Sequence, residues 1–317
     1  MASPDRDIEL LEQADLLDQI HERFQNIGLS DPRLTTATAA VILGGRKVLA
    51  IHGASPEMLQ VVFKAEAGKT PRTVADLESG RVGKAVIRQQ FPNARINEEE
   101  TGDEEALEGS RDAHHVDPLD GTSSFARELR YSTVADAVYV DGKPYAAAIC
   151  HPYERELVVA QVGKGAHLFA LDENLVLSFV SRRRQLEVSK SSLDGGIAFV
   201  DALFNANTSP RKFAFMADLV KLSNNNLGFR MSGSNIDQQL KVAKGSAEIT
   251  LTDAVGGFFD LAAGGLAIIE AGGKFTDKFG DPVDETTQVA LGTNGTIHDD
   301  VLDILTRHYF GYDGFNK

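Results

Sequence analysis

Apolar residues recur at helical spacing through "DIELLEQADLLDQIHERF", residues 7–24, and predict an amphipathic helix. A second helix is predicted over "DPRLTTATAAVILGGRKVLAIHG", residues 31–53, with Asp31 as N-cap and Pro32 in its first turn. The polar segment "KAEAGKTPRT" then leads to a third helix from about Asp76 to Gln90. From Arg95 the pattern shortens to strands: "RINEE", "HHVDP", "STVADAVYVDG", "PYAAAICHP" and "ELVVAQVG". Their close spacing and the turns "DGKP" and "HPYE" predict an antiparallel meander. Beyond residue 182 helices and strands alternate again, through "IAFVDA", "RKFAFMADLVKL", "SNIDQQLKVAKG", "AEITLT" and "DLAAGGLAIIEAGG". The expected organisation is an α+β half over residues 1–181 and an α/β half over 182–317. No flexible linker separates them, so they are expected to share an interface.

Composition narrows the function classes. Apolar residues make up 42% and charged residues 25% of 317 positions, ordinary values for a globular chain able to bury a sizeable core. A net charge of −14 argues against binding a nucleic-acid polymer, which draws on basic patches. A small anionic substrate remains compatible, because metal ions and helix N-termini can meet its charge locally. A single cysteine, Cys150, excludes an internal disulfide. The acidic N-terminus does not read as a signal peptide, and no apolar stretch approaches a membrane span, so a cytoplasmic location is expected.

The stretch "DPLDGTSSF", residues 117–125, carries two aspartates three apart around Pro118. Its residues suit a plain surface turn. They equally suit a strand ending at Asp117 and a helix opening at Asp120-Gly121-Thr122, a junction that can hold a metal and a phosphate together. Two further acidic segments flank it in sequence. "NEEETGDEE", residues 97–105, reads alone as a solvated acidic loop, and Asp260, opening "DLAAGGLAIIEAGG", reads alone as a helix N-cap. Together the three segments offer carboxylates at strand ends and helix starts, as a hard-cation site requires. All the donors are oxygens and no Cys pair or His-x-x-x-His spacing occurs, which favours magnesium or manganese over zinc. His114 and His115 would face opposite sides of a strand; these two and His151 are read as structural. No EF-hand loop is present, which leaves a calcium module poorly supported.

"NEEETG", "DPLDGTSSF" and "FDLAAGGLAIIEAGG", in that order and preceded by "KTPRTVAD", resemble the signature motifs of the inositol monophosphatase superfamily over roughly residues 55–295. The resemblance implies an α/β (α+β) fold built as a five-layered α-β-α-β-α sandwich. It implies a magnesium-dependent, lithium-sensitive phosphomonoesterase for small polyol phosphates, inositol monophosphate being the simplest, with manganese as a possible substitute. Carried over by position, Glu98 would ligate metal and Glu99 would orient a water, although three consecutive glutamates also fit the motif shifted by one. Asp117, Asp120, Asp260 and the Leu119 carbonyl would complete the metal ligands. Gly121, Thr122 and Ser123 would cradle the phosphate, and Thr122 with Asp76 would activate the attacking water. Gly233, Ser234 and Asp253 would meet the organic part of the substrate.

Three positions depart from the pattern: Asn97 replaces a glycine, Phe259 a tryptophan, and Asp253 a glutamate. Residues 1–55 are not accounted for by the resemblance, which also implies a possible homodimer. The physical logic is independent of the family, since two cations about 3.5–4 Å apart can neutralise a phosphate monoester, ionise water and stabilise a leaving alkoxide. Alternatives are a 3′(2′),5′-bisphosphate nucleotidase, a phosphatase of histidinol phosphate or fructose 1,6-bisphosphate, and a catalytically silent, metal-binding scaffold.

Overall fold

The structure is a computed structural model that describes residues 4–63, 71–177, 182–200 and 209–309. The chain opens with helices α1 (Pro4–Gln25), α2 (Pro32–Ile51), α3 (Pro56–Leu59) and α4 (Val74–Gln90). A two-stranded ribbon, β1 (Val62–Phe63) and β2 (Pro71–Arg72), lies between the last two. The segment 64–70, within "KAEAGKTPRT", lies outside the described residues.

Next come β3 (Arg95–Glu98), β4 (Gly102–Glu104) and β5 (Asp112–Asp120), then the short helix α5 (Thr122–Phe125). Strands β6 (Thr133–Val140), β7 (Lys143–His151), β8 (Glu156–Gln161), β9 (Gly165–Ala170) and β10 (Arg183–Gln185) follow. These form one eight-stranded sheet in the order β10-β9-β8-β7-β6-β5-β3-β4. The expected meander holds from β5 to β8 and continues antiparallel through β9 and β10, but β3 pairs with β5 in parallel. The residues between β3 and β5 supply β4 as a further edge strand, so β3 and β5 are not joined as a hairpin.

The last third contains β11 (Ile197–Val200), α6 (Ser209–Leu222), β12 (Gly228–Arg230), α7 (Asn235–Ala243), β13 (Ile249–Asp253), α8 (Phe259–Glu270), β14 (Lys274–Asp277), β15 (Val289–Thr293) and α9 (His298–Tyr309). Its five strands form a second sheet, β12-β11-β13-β15-β14. The last two residues of "IAFVDA" lie outside the described residues.

Three apolar clusters stack the layers. The first joins α1, α2 and α4 to one face of the large sheet, through residues such as Phe24, Ile42, Val86, Val138 and Val159. The second fills the space between the sheets around α7 and α8, and the third seals the small sheet against α6 and α9. The five-layered sandwich implied by the resemblance is therefore the observed architecture.

The small residues of α8 are what let it lie between two sheets. A Cβ at Gly264 would come within 2.0 Å of the Gln239 side chain on α7, and one at Gly265 within 2.4 Å of Phe275. α2 corrects one expectation, because Pro32–Ile51 is apolar and long enough to cross a membrane by those criteria. It is instead a core helix, buried from Leu34 to Gly45 and packed against α4, β6 and β7.

Candidate active site

Parallel pairing of β3 with β5 brings the C-terminal ends of both strands to the same edge of the sheet. Glu99 follows β3 directly, and its backbone N–H donates to the Val116 carbonyl at 3.2 Å. Asp117, Leu119 and Asp120 close β5. On a regular strand two residues three apart would face opposite sides. Here the ladder to β6 slips between the pairs Asp117↔Ala135 and Asp120↔Thr133, so β5 carries one extra residue. This bulge spans Pro118 and Leu119, the former with no N–H to give the ladder, and both carboxylates line one cavity. The strand thus runs three residues past its expected end at Asp117.

The cavity has a volume of about 370 Å³ and is lined by Glu99, Asp117, Leu119, Asp120, Gly121, Thr122, Ser123, Gly233 and Asp260, among others. Asp260 arrives on the first turn of α8, where the Gly256 N–H donates to its Oδ2 at 2.9 Å. A Cβ at Gly256 would lie 3.1 Å from Asp260 Oδ2 and 3.2 Å from Glu99 Oε1, so a side chain there would crowd the space between the two carboxylates.

Oxygen atoms of Asp117, Asp120 and Asp260 lie within 4.8 Å of one another, and all three residues are buried. Burial, and then repulsion from Glu99, Asp120 and Asp260, pushes the Asp117 carboxyl well above the ordinary carboxylate range. Burial raises Asp120 to about 6, against the opposing effect of its hydrogen bonds. Asp117 Oδ2 is buried and accepts no hydrogen bond. Crowded, desolvated oxygens with an unused acceptor among them suit a hard divalent cation, which meets the conditions for a metal site.

Asp120 is held from behind by the N-terminus of α7. The Asn235 and Ile236 N–H groups donate to its two oxygens at 3.1 and 2.7 Å, and the Ser234 hydroxyl donates to Oδ2. Gly121 follows with φ +86°, a conformation favouring glycine, and a Cβ there would meet Ser234 at 2.9 Å. The chain then enters α5. Thr122 Oγ1 lies 2.7 Å from Asp76 Oδ1 and 2.9 Å from the Leu119 carbonyl oxygen. Asp76 sits in the first turn of α4, which begins at Val74, two residues before the expected start. Its Oδ2 accepts from the Thr73 N–H at 2.7 Å and the Thr73 hydroxyl at 2.6 Å, a capping box. Burial raises the Asp76 carboxyl to about 6 despite these bonds.

The structure brings most of the expected residues together and sets three apart. Glu98 is buried on the opposite face of β3, where it accepts from the Thr101 hydroxyl and the Glu100 N–H and lies 3.7 Å from Lys84 Nζ. Glu99 is the glutamate that lines the cavity, the position the motif shifted by one would give its first glutamate. Glu99→Gln is accordingly expected to lower kcat at least tenfold more than Glu98→Gln, measured by phosphate release from one ester. Ser234 is buried, its hydroxyl engaged with Asp120 rather than facing the cavity. Asp253 is fully buried at the end of β13, with Lys212 Nζ 2.6 Å from its Oδ2, outside the cavity lining.

Sequence reading missed Arg127, whose Nη1 donates to the Ser123 carbonyl at 2.9 Å and which lines the cavity. It also missed the α7 amides, since nothing local in the sequence pairs them with Asp120. His114 and His115 do face opposite sides: His114 bonds Asp136 at 2.8 Å, and His115 packs on Tyr139 and Phe258. His151 lies with Asp237 and Glu154 in a second cluster of ligand-type atoms. There Lys241 Nζ sits 3.0 Å from Asp237 and 3.1 Å from Glu154, so an ammonium already meets the charge.

The model of the inositol monophosphatase family matches residues 32–308, most of the chain. The chain belongs to the inositol monophosphatase family. Its match to the family begins at α2, earlier than the motifs alone suggested. The inositol-1-monophosphatase of Synechocystis is 27% identical over 86% of this chain and 88% of its own length. Nus factor SuhB of Escherichia coli is 32% identical over 61% of this chain and 67% of its own. Among solved structures, an inositol monophosphatase from Anabaena superposes with a TM-score of 0.69 at 25% identity, covering 87% of this chain and 95% of that one. The family's named enzymes are phosphatases, and the acidic cluster here is of the kind that binds metal.

Proposed function

We propose that this chain is a magnesium-dependent phosphomonoesterase acting on a small polyol phosphate, inositol monophosphate being the simplest, with manganese as a substitute metal and lithium as an inhibitor. The observation that carries the reading is the convergence of Asp117, Asp120 and Asp260 beside the Thr122–Asp76 pair. Glu99, Asp117, Asp120, Asp260 and the Leu119 carbonyl would hold the metal. When bound, it would neutralise the phosphate and lower the pKa of a water.

The chain's own groups do the positioning. With Asp76 ionised, the Thr122 hydroxyl donates to it and turns its lone pairs towards the cavity, where it can take a proton from the attacking water as it passes its own to Asp76. The N–H groups opening α5 lack helical partners and face a phosphate placed against Gly121–Ser123. The α7 amides and Ser234 keep Asp120 oriented and satisfied, so it does not need to move as charge develops.

The test is a phosphate-release panel over inositol monophosphate, adenosine 3′,5′-bisphosphate, fructose 1,6-bisphosphate and histidinol phosphate with magnesium. Thr122→Ala and Asp76→Asn are each expected to lower kcat strongly. The double variant is expected to fall little below the worse single one, because the two side chains act as one unit. Additive losses would show that the pair is not coupled. Similarity to proteins named Nus factor SuhB supports a second reading, a binding member of the family. Release of phosphate from none of the panel would favour that reading.

A further inference from the structure

Among the described residues lining the cavity, four are carboxylates and Arg127 is the one basic side chain. The guanidinium is exposed at the end of α5, and its bond to the Ser123 carbonyl at 2.9 Å turns it back towards the phosphate-facing turn. Arg127 makes no ion pair with any described residue, although the chain carries a net charge of −14. Arg33, Arg88, Arg95 and Arg111, by contrast, each pair with a carboxylate.

The acid expected to read substrate hydroxyls points the same way. Asp253 lies two residues before Val255 and three before Gly256, both of which line the cavity. Its charge is met by Lys212, and both side chains are fully buried. The cavity therefore presents a guanidinium in no ion pair and no free carboxylate from β13. A guanidinium fixed at one nitrogen keeps the rest of its planar fork for a second anion, which it binds by charge-assisted hydrogen bonds.

We propose that Arg127 is a specificity-determining residue that binds a second anionic group, phosphate or carboxylate, on the leaving group of the substrate. This inference rests on the phosphatase reading and narrows its substrate class to polyol phosphates that carry another negative charge.

The test uses two matched pairs with magnesium: inositol 1-phosphate against inositol 1,4-bisphosphate, and glycerol 1-phosphate against 3-phosphoglycerate. The pairs separate a second phosphate from a carboxylate. Wild type is expected to favour the doubly anionic member of at least one pair. Arg127→Gln should lose on the order of 10–100-fold more kcat/KM on that member than on its partner, with Arg127→Lys intermediate. Equal losses on both members would assign Arg127 to the scissile phosphate and overturn the proposal, as would no loss on either. If wild type hydrolyses none of the four, the panel above decides the phosphatase reading, which fails if no ester there releases phosphate. Titration calorimetry of the same compounds then decides this one: tighter binding of the doubly anionic member, abolished in Arg127→Gln, upholds it, and equal binding overturns it.

Discussion

Replacing Asp117 by asparagine is expected to lower kcat by on the order of 10²–10³ and, at the same time, to make the metal-free protein more stable. The two effects have one cause. Asp117 is buried, crowded by Glu99, Asp120 and Asp260, and has an oxygen that accepts no hydrogen bond, so without a cation its charge is held at a cost. The amide keeps the shape and removes the charge. Each kcal/mol so relieved corresponds to roughly 1–2 °C in Tm for a chain of 317 residues.

The pH dependence follows from the direction of the shift. A carboxyl whose folded pKa is raised stabilises the metal-free fold below the unfolded value of about 3.9, and that contribution is lost as pH rises through the folded value. Asp117 lies well above the ordinary range and Asp120 at about 6. Melting curves of metal-free wild type and Asp117→Asn should therefore nearly coincide near pH 4, with the variant ahead by pH 8. A variant that is less stable than wild type at pH 8 would show that the carboxylate cluster is not under electrostatic strain.

Much of this site was legible in the sequence, because its residues stand at breaks in periodicity. Pro118 between two aspartates announces an interrupted ladder, and Asp260 before a run of small residues announces a tightly packed helix start. The parallel pairing of β3 with β5 was not legible, since strands joined by a short connection are ordinarily read as antiparallel neighbours. That pairing sets the face of each glutamate. Ile96 and Glu98 share the helix-covered side of β3, where Glu98 is anchored by Thr101, and this leaves Glu99 for the cavity. Alternation alone puts Ile96 and Glu98 on one face, but it does not say which face holds the site. Lys212 was hidden for a similar reason. It reads as one polar residue of an amphipathic helix, and only the packing of α6 against the second sheet carries its ammonium to Asp253. Contacts between residues far apart in the chain leave no local pattern.

The central claim is that these carboxylates act by holding a divalent cation, and removal of the metal tests it most directly. The second large effect is expected there: exhaustive chelation should reduce phosphate release by several orders of magnitude, because the unbalanced carboxylates would then repel the substrate's phosphate. Hard oxygen donors select the ions that restore activity, magnesium first and manganese next. Calcium, larger and less demanding in geometry, is expected to bind without restoring the rate. The decisive measurement is phosphate release from inositol monophosphate by chelator-stripped protein, before and after titration with magnesium. Activity that is absent at first and returns in a saturable way, in wild type but only weakly in Asp117→Asn, is the expected result. Full activity in the stripped protein would contradict the account.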